Sequence, residues 1–372
     1  MRFLTQFCLL MLVLLPFTLQ ADINQDNQLK IEKLATGITI PWGMAVLMDN
    51  SLLVTQRSGK LVQLSAAGKK IADITGLPDD IRVEGQGGLF DVALPPNHQQ
   101  SGWIYFSYNK DVDGEGATTL ARAKLSGAQL TDWQDMLVSQ SRTDNKVHYG
   151  GRISFDGRGH VFLSIGDRGE RDHAQNLKNH AGSILRLNMD GSVPADNPFV
   201  GKTDVLPEIW SYGHRNPQGL FFNQHSGILW SIEHGPRGGD EINLIEAGNN
   251  YGWPVISYGK EYWAPLPVGK GTHRDGMAQP VQMYDPSIAP SSLIQYQGSL
   301  FKPWHGNLLA AALKLQHLNI ITLNTNNEAI NEKRLLNTIS RRIRNIIEAP
   351  DGALLIGCDN GDIYRITPAD SQ

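Results

Sequence analysis

The chain has 372 residues, a formal net charge of −4 and two cysteines. The mild acidic balance argues against a nucleic-acid binder, because the single basic run, Arg341-Arg342-Ile343-Arg344, is interrupted by an apolar residue. With Cys8 inside the first apolar run, only Cys358 is left to the folded part, so an internal disulfide is excluded and packing or bound ions must stabilise the chain.

The chain begins MRFLTQFCLLMLVLLPFTLQAD. Arg2, the apolar run Phe7 to Leu15, the break at Pro16 and the small residue Ala21 read as a secretory signal peptide over 1–21. The run is too short to span a bilayer, which predicts a periplasmic protein that is not membrane-spanning. Residues 22–372 show no Pro-, Ser- or charge-rich linker, so they are expected to form a single domain.

A pattern then recurs along the chain: alternating apolar residues, a turn rich in Asp, Asn, Ser and Gly, and a second apolar strand. It starts at Trp42 (WGMAVLMDNSLLVTQRSGKLVQL), Gly87 (GGLFDVALPP), Gly151 (GRISFDGRGHVFLSIGDRG), Gln218 (QGLFFNQHSGILWSIE), Ser292 (SLIQYQGSL) and Arg342 (RIRNIIEAPDGALLIG). The units lie roughly 45 to 80 residues apart, near the length of a four-stranded propeller blade. Helical periodicity is nearly absent, and 38 glycines and 19 prolines suit many tight turns. Six strand-rich units reaching almost to the C-terminus predict an all-β, six-bladed β-propeller; two packed β-sandwiches are the alternative.

Within the third unit, Asp156-Gly157 predicts the turn of a hairpin. His148 stands just before it, followed by Gly150 and Gly151, which remove side chains where the first strand begins. Such glycines mark a bulge or a close approach to the backbone. An imidazole there is either a base facing a flat ligand or a structural histidine.

Other residues share that place at the ends of apolar strands: Gln86, Arg215, Asn216, Lys314, Arg342 and Arg344. Singly, Gln86 reads equally as a turn cap, Lys314 as a surface lysine and the two arginines as a surface pair. Together the four cations predict a site for a phosphate or for a molecule with several carboxylates. The stretch EHGPRGGDEINLIEAGNNYGWP, from Glu233 to Pro254, offers Gly- and Pro-flanked carbonyls with Asp240, Glu241 and Tyr251. Hard cations such as Ca²⁺ take such oxygens, although a Gly-rich loop with surface acids has the same look. NKDVDGEG from Asn109 reads as a solvent loop. His173, His180, His273 and His317 lack zinc-type spacing.

GQGGL, HYGGR, GDRGERDHAQN, EIWSYGHRNPQGL, EHGPRGGDEINLIEAGNNYGWP, AALK and RIR occur in this order. Together they resemble the soluble sugar dehydrogenases that depend on pyrroloquinoline quinone (PQQ), and more narrowly the bacterial aldose sugar dehydrogenases of the glucose/sorbosone dehydrogenase group. The resemblance covers nearly the whole chain after the leader. It implies a six-bladed propeller that oxidises aldose sugars at C1 to lactones and passes electrons to a quinone or other external acceptor. It also assigns roles. His148 would be the general base. Gln86, Arg215, Asn216, Tyr262, Lys314, Arg342 and Arg344 would contact PQQ. Gly235 and Pro236 would give carbonyls to the Ca²⁺ that binds it, and Glu241 and Tyr251 would hold a second, structural Ca²⁺. The glucose-oxidising branch has an aspartate just before its histidine; this chain has Val147, and the nearest preceding carboxylate, Asp144, is carried as a candidate on the cofactor side. A calcium-dependent propeller hydrolase acting on lactones, and a propeller that only binds sugar, are the competing readings.

Overall fold

The computed structural model describes residues 25–369, and the expected leader lies outside the described residues. The described strands make six four-stranded antiparallel sheets. The first strand of each sheet packs against the first strands of the sheets on either side, so the six close into a ring. The architecture is a six-bladed β-propeller, and its one α-helix among the described residues is the single turn His98–Ser101. The six repeat units of the sequence are the six blades: 41–74, 89–138, 153–212, 217–284, 290–335 and 343–368.

Blade 6 takes its outermost strand from the other end of the chain. Leu29–Ala35 pairs antiparallel with Ile363–Pro368, so the first described strand closes the ring. The Asp26 carboxylate fastens this strand to blade 5, accepting from the Leu336 and Thr338 amides at 2.7 and 3.2 Å.

Side-chain alternation explains why these strands stack face to face. In Leu52–Gln56 of blade 1, Leu53 points into the apolar cluster shared with blade 2, while Leu52 and Val54 point into the one shared with blade 6. A similar cluster lies between every other pair of neighbouring blades. Leu53 is fully buried, and truncation to alanine at such a position costs about 2–5 kcal/mol.

Arg152 occupies the ring axis. Its guanidinium donates to Asp91 Oδ1 of blade 2 at 3.0 Å, to the Gln218 carbonyl of blade 4 at 3.1 Å and to the Ser291 carbonyl of blade 5 at 3.2 Å. It also lies over the Trp42 ring of blade 1, 4.2 Å from the centroid. One side chain can reach so many blades only from the middle of the ring. Both Arg152 and Asp91 are buried; desolvation pushes the Asp91 carboxyl up and the Arg152 guanidinium down, and their mutual charge and hydrogen bonds offset only part of it.

Strand direction decides which loops meet. First and second strands of a blade run antiparallel, so the residue before the first strand and the residue after the second lie at the same end of the ring. Gln86, His148, Arg215, Asn216 and Arg342 precede first strands. Gly235, Pro236 and Lys314 follow second strands. The residues separated along the chain are therefore gathered at one rim.

Candidate active site

His148 is held in a left-handed backbone conformation, with φ of 53°. For a residue other than glycine this costs roughly 1–2 kcal/mol, and the surroundings enforce it. Its amide donates to Gln86 Oε1 at 3.0 Å. Its carbonyl packs so closely on Gly166 that a Cβ there would sit 2.2 Å from the oxygen. The imidazole is mostly buried and places Nδ1 2.6 Å from Asp167 Oδ1.

Asp167 is almost wholly buried and accepts from three donors: the His148 ring, the Gly169 amide at 2.8 Å and Trp253 Nε1 at 2.7 Å. Burial opposes its ionisation. The His148 hydrogen bond and charge, Arg215 and the Gly169 amide outweigh it and hold the carboxyl below the usual range. Burial pulls His148 the other way: desolvation, then Arg215 and Arg168, lower its proton affinity, and the Asp167 bond only partly compensates. The pair thus favours an ionised Asp167 beside a neutral imidazole. A carboxylate has no proton to donate, so Nδ1 must carry the hydrogen and Nε2 is left as the basic atom.

Asn216 and Arg215 frame this base. Asn216 is buried, and its Oδ1 accepts from the Gly150 amide at 3.1 Å. Arg215 Nη1 donates to the Gly235 carbonyl at 2.8 Å, and the Tyr262 hydroxyl donates to the Pro236 carbonyl at 3.1 Å. His234 ties this group to the arginines beyond: burial first, then Arg215, His148 and Arg344 together, bring its imidazole down to about 3.

Arg344 donates to both oxygens of Asp359, at 2.7 and 2.9 Å, and Arg342 donates to the same carboxylate at 2.9 Å. Two guanidiniums on one carboxylate leave a positive charge over. Arg57, after the second strand of blade 1, adds another. It is half-buried with no side-chain partner among the described residues, and burial, then the charges of Arg344 and Arg342, lower its proton affinity against Asp359. Its stem runs along Gly88, two residues after Gln86. The Lys314 side chain, exposed at the same rim, also lacks a partner among the described residues. Arg57, Lys314, Arg342 and Arg344 outnumber Asp359, the acid paired with this group, which fits a planar polycarboxylate such as PQQ.

The 235–239 loop fits a hard cation. A Cβ on Gly235 would sit 2.2 and 2.3 Å from the Gly239 and Gly238 carbonyl oxygens, so the loop is dense with oxygen. Arg215 and Tyr262 occupy one lone pair each of the Gly235 and Pro236 carbonyls and leave the second for a cation. Nearby, Glu241 faces Glu233 directly across the blade 4 ladder. Burial, then the Glu233 charge, push the Glu241 carboxyl up, and Asn243 Oδ1 is buried without a partner. Tyr251 lines the same small pocket. Its hydroxyl is already bonded to the Leu244 carbonyl at 2.6 Å, so the oxygen it would offer is that of its backbone. Opposed carboxylates with an orphaned amide oxygen fit a divalent cation.

Some expectations change. Asp144 is exposed and has no bond to this cluster; the carboxylate on the base is Asp167, 19 residues along the chain, brought back by a hairpin. What comes close at Gly150 and Gly151 is protein. A Cβ on Gly150 would meet the Ser164 carbonyl at 2.6 Å, and one on Gly151 would meet the Phe90 ring at 2.9 Å. Both glycines admit neighbouring strands. Asp167, Trp253, Asp359 and Arg57 were not singled out by residue patterns. The available signal was position, since Arg57, Asp167 and Asp359 all follow second strands.

Comparisons with known proteins identify the family. The family model for Glucose / Sorbosone dehydrogenase matches residues 38–365. Aldose sugar dehydrogenase YliI of Escherichia coli is 36% identical over 95% of this chain and 94% of its own length. Quinoprotein glucose dehydrogenase B of Acinetobacter calcoaceticus is 27% identical over 89% and 84%. The apo crystal structure of the soluble aldose sugar dehydrogenase of Escherichia coli superposes with a TM-score of 0.88, at 36% identity over 92% of this chain and 100% of that one. The PQQ-bound aldose sugar dehydrogenase of Streptomyces coelicolor gives 0.75, at 25% identity over 91% and 98%. This chain belongs to the glucose/sorbosone dehydrogenase family and is an enzyme homologous to the aldose sugar dehydrogenases.

Proposed function

We propose that the protein oxidises aldose sugars at C1 to lactones, using PQQ and Ca²⁺, and passes the electrons to an external acceptor. The observation that carries this reading is the His148–Asp167 pair standing at the same rim as an unneutralised set of cations. A hydrolase or a sugar-binding propeller has no use for that surplus charge, whereas a tricarboxylate cofactor does. When bound, PQQ would supply the two-electron acceptor and Ca²⁺ the Lewis acid that polarises it.

The chain's own residues divide the remaining work. His148 Nε2 takes the proton of the C1 hydroxyl as hydride leaves C1, and Asp167 stabilises the imidazolium that results. Arg57, Lys314, Arg342 and Arg344 bind carboxylates, with Asp359 holding the last two in place. Gln86 and Asn216 fix the backbone on either side of the base. Gly235 and Pro236 would hold the Ca²⁺ of the reaction, and Glu241 with Tyr251 would hold a structural one. The leader sequence supports export to the periplasm, and no helix among the described residues is long and apolar enough to cross a membrane.

Spectral titration of the apoprotein with PQQ, with and without Ca²⁺, tests the cofactor assignment apart from any sugar. Saturable one-to-one binding that is strengthened by Ca²⁺ is expected. An absence of binding under both conditions would remove the reading and turn attention to lactone hydrolysis.

A further inference from the structure

Trp253 belongs to the long connection of blade 4, yet its indole is built into the blade 3 site. It is buried, and its backbone is fixed at both sides: the amide donates to the Gly213 carbonyl at 2.9 Å, and the carbonyl accepts from Gln175 Nε2 at 2.7 Å. Ala174 and Val268 pack on the ring, and two guanidiniums approach it, Arg215 at 5.2 Å and Arg171 at 5.7 Å from the ring. Arg171 is anchored in turn by a two-pronged bond to Glu261, at 2.8 and 3.2 Å. So held, the indole has little freedom, and its N–H meets Asp167 Oδ2 at 2.7 Å.

We propose that Trp253 is a positioning residue for His148 that acts through Asp167: its N–H fixes the carboxylate so that Oδ1 faces Nδ1, and draws part of the negative charge away from the imidazole. The proposal rests on the reading of His148 as the base. Asp167 has three donors, and removing one concentrates its charge on the oxygen that faces the ring. An imidazolium is then better stabilised, and the ring gains its proton at higher pH. The other charged groups around the pair are Arg215 and Arg168 beside His148, His234 across the rim, and Arg171 beside Asp167. Replacing Trp253 with phenylalanine leaves all of these charges in place and keeps an aromatic ring beside Arg215 and Arg171, while deleting the donor and part of the ring.

The test is nitrogen-15 NMR of the full chain without cofactor. The His148 ring resonance is identified by its loss in His148→Gln, and the Trp253 indole resonance by its loss in Trp253→Phe. In Trp253→Phe the His148 midpoint is expected to rise by about half a pH unit. In the wild-type protein the Trp253 indole proton is expected to shift with the same midpoint as the His148 ring. A packing role alone leaves the His148 midpoint of Trp253→Phe at the wild-type value, and that result overturns the proposal. If the variant does not fold, the wild-type readout decides: an indole signal that stays still while His148 titrates overturns it equally. Because neither readout needs PQQ or sugar, a failure here is distinct from a failure to bind cofactor.

Discussion

His148 Nδ1 lies 2.6 Å from Asp167 Oδ1, although the two residues stand on opposite sides of a β-hairpin. The contact fixes which ring nitrogen is basic. Val147, which stands where the glucose-oxidising branch has an aspartate, presents its backbone carbonyl to Arg168.

Replacing His148 with alanine removes the proton acceptor that the buried Asp167 holds at this rim. Turnover is expected to fall roughly 10²–10⁴-fold, the usual contribution of a positioned general base. PQQ binding, proposed to rest on the rim cations, is expected to persist in the spectral titration. Near-normal turnover in this variant contradicts the assignment.

Asp167→Asn nearly preserves the shape of the pair and changes its logic. An amide can donate to Nδ1, which moves the ring hydrogen to Nε2 and leaves no base facing the substrate. A loss of kcat of roughly 10²-fold or more is expected, with PQQ affinity retained. Steady-state kinetics beside a binding titration separates the two effects.

The pH dependence follows from the direction of the His148 shift. Burial lowers its proton affinity from the ordinary value of 6.5, and the protonated ring cannot accept a proton. Activity is therefore present above the lowered midpoint and is lost as pH falls through it. The acid limb of kcat/KM is expected below pH 6.5, and a limb above that value contradicts the account of His148.

Arg57→Ala removes a cation that no carboxylate among the described residues pairs with directly. If Arg57 binds a carboxylate of the cofactor, its loss weakens PQQ affinity by about 10-fold or more. The dependence of affinity on salt should also flatten. Titration at two salt concentrations measures both, and an unchanged affinity removes Arg57 from the site.

Glu241→Gln tests the structural cation site through stability. Saturating Ca²⁺ at about 100 times its Kd stabilises a protein by ~2.7 kcal/mol, read as a rise in Tm against chelator. The rise is expected to shrink in the variant. A variant with the wild-type rise would place the stabilising ion elsewhere.

Much of the fold was legible in the sequence because each blade repeats the same local event, an apolar strand turning at Asp, Asn or Gly and returning. The closing strand Leu29–Ala35 was not, because its sequence LKIEKLA mixes three charged residues with apolar ones and is half-exposed at the ring's edge, and its partner lies at the far end of the chain. Residues at the candidate site were legible when an unusual type stood at a strand end, as with His148 and Arg215. Asp167 was hidden in GDRG, which reads as an ordinary turn until the hairpin brings it back to His148. Asp359 and Arg57 were hidden for a similar reason: their meaning comes from antiparallel strands that deliver second-strand ends to the same rim. The two glycines after His148 were noticed correctly as a close approach, but what approaches is the Ser164 backbone and the Phe90 ring.

The most direct test of the central claim is dye reduction by the purified protein with a panel of aldoses, before and after adding PQQ and Ca²⁺. The account predicts turnover only when both are present, loss of it on adding chelator, and recovery with fresh Ca²⁺. No sugar oxidation by protein shown to have bound PQQ and Ca²⁺ would contradict it.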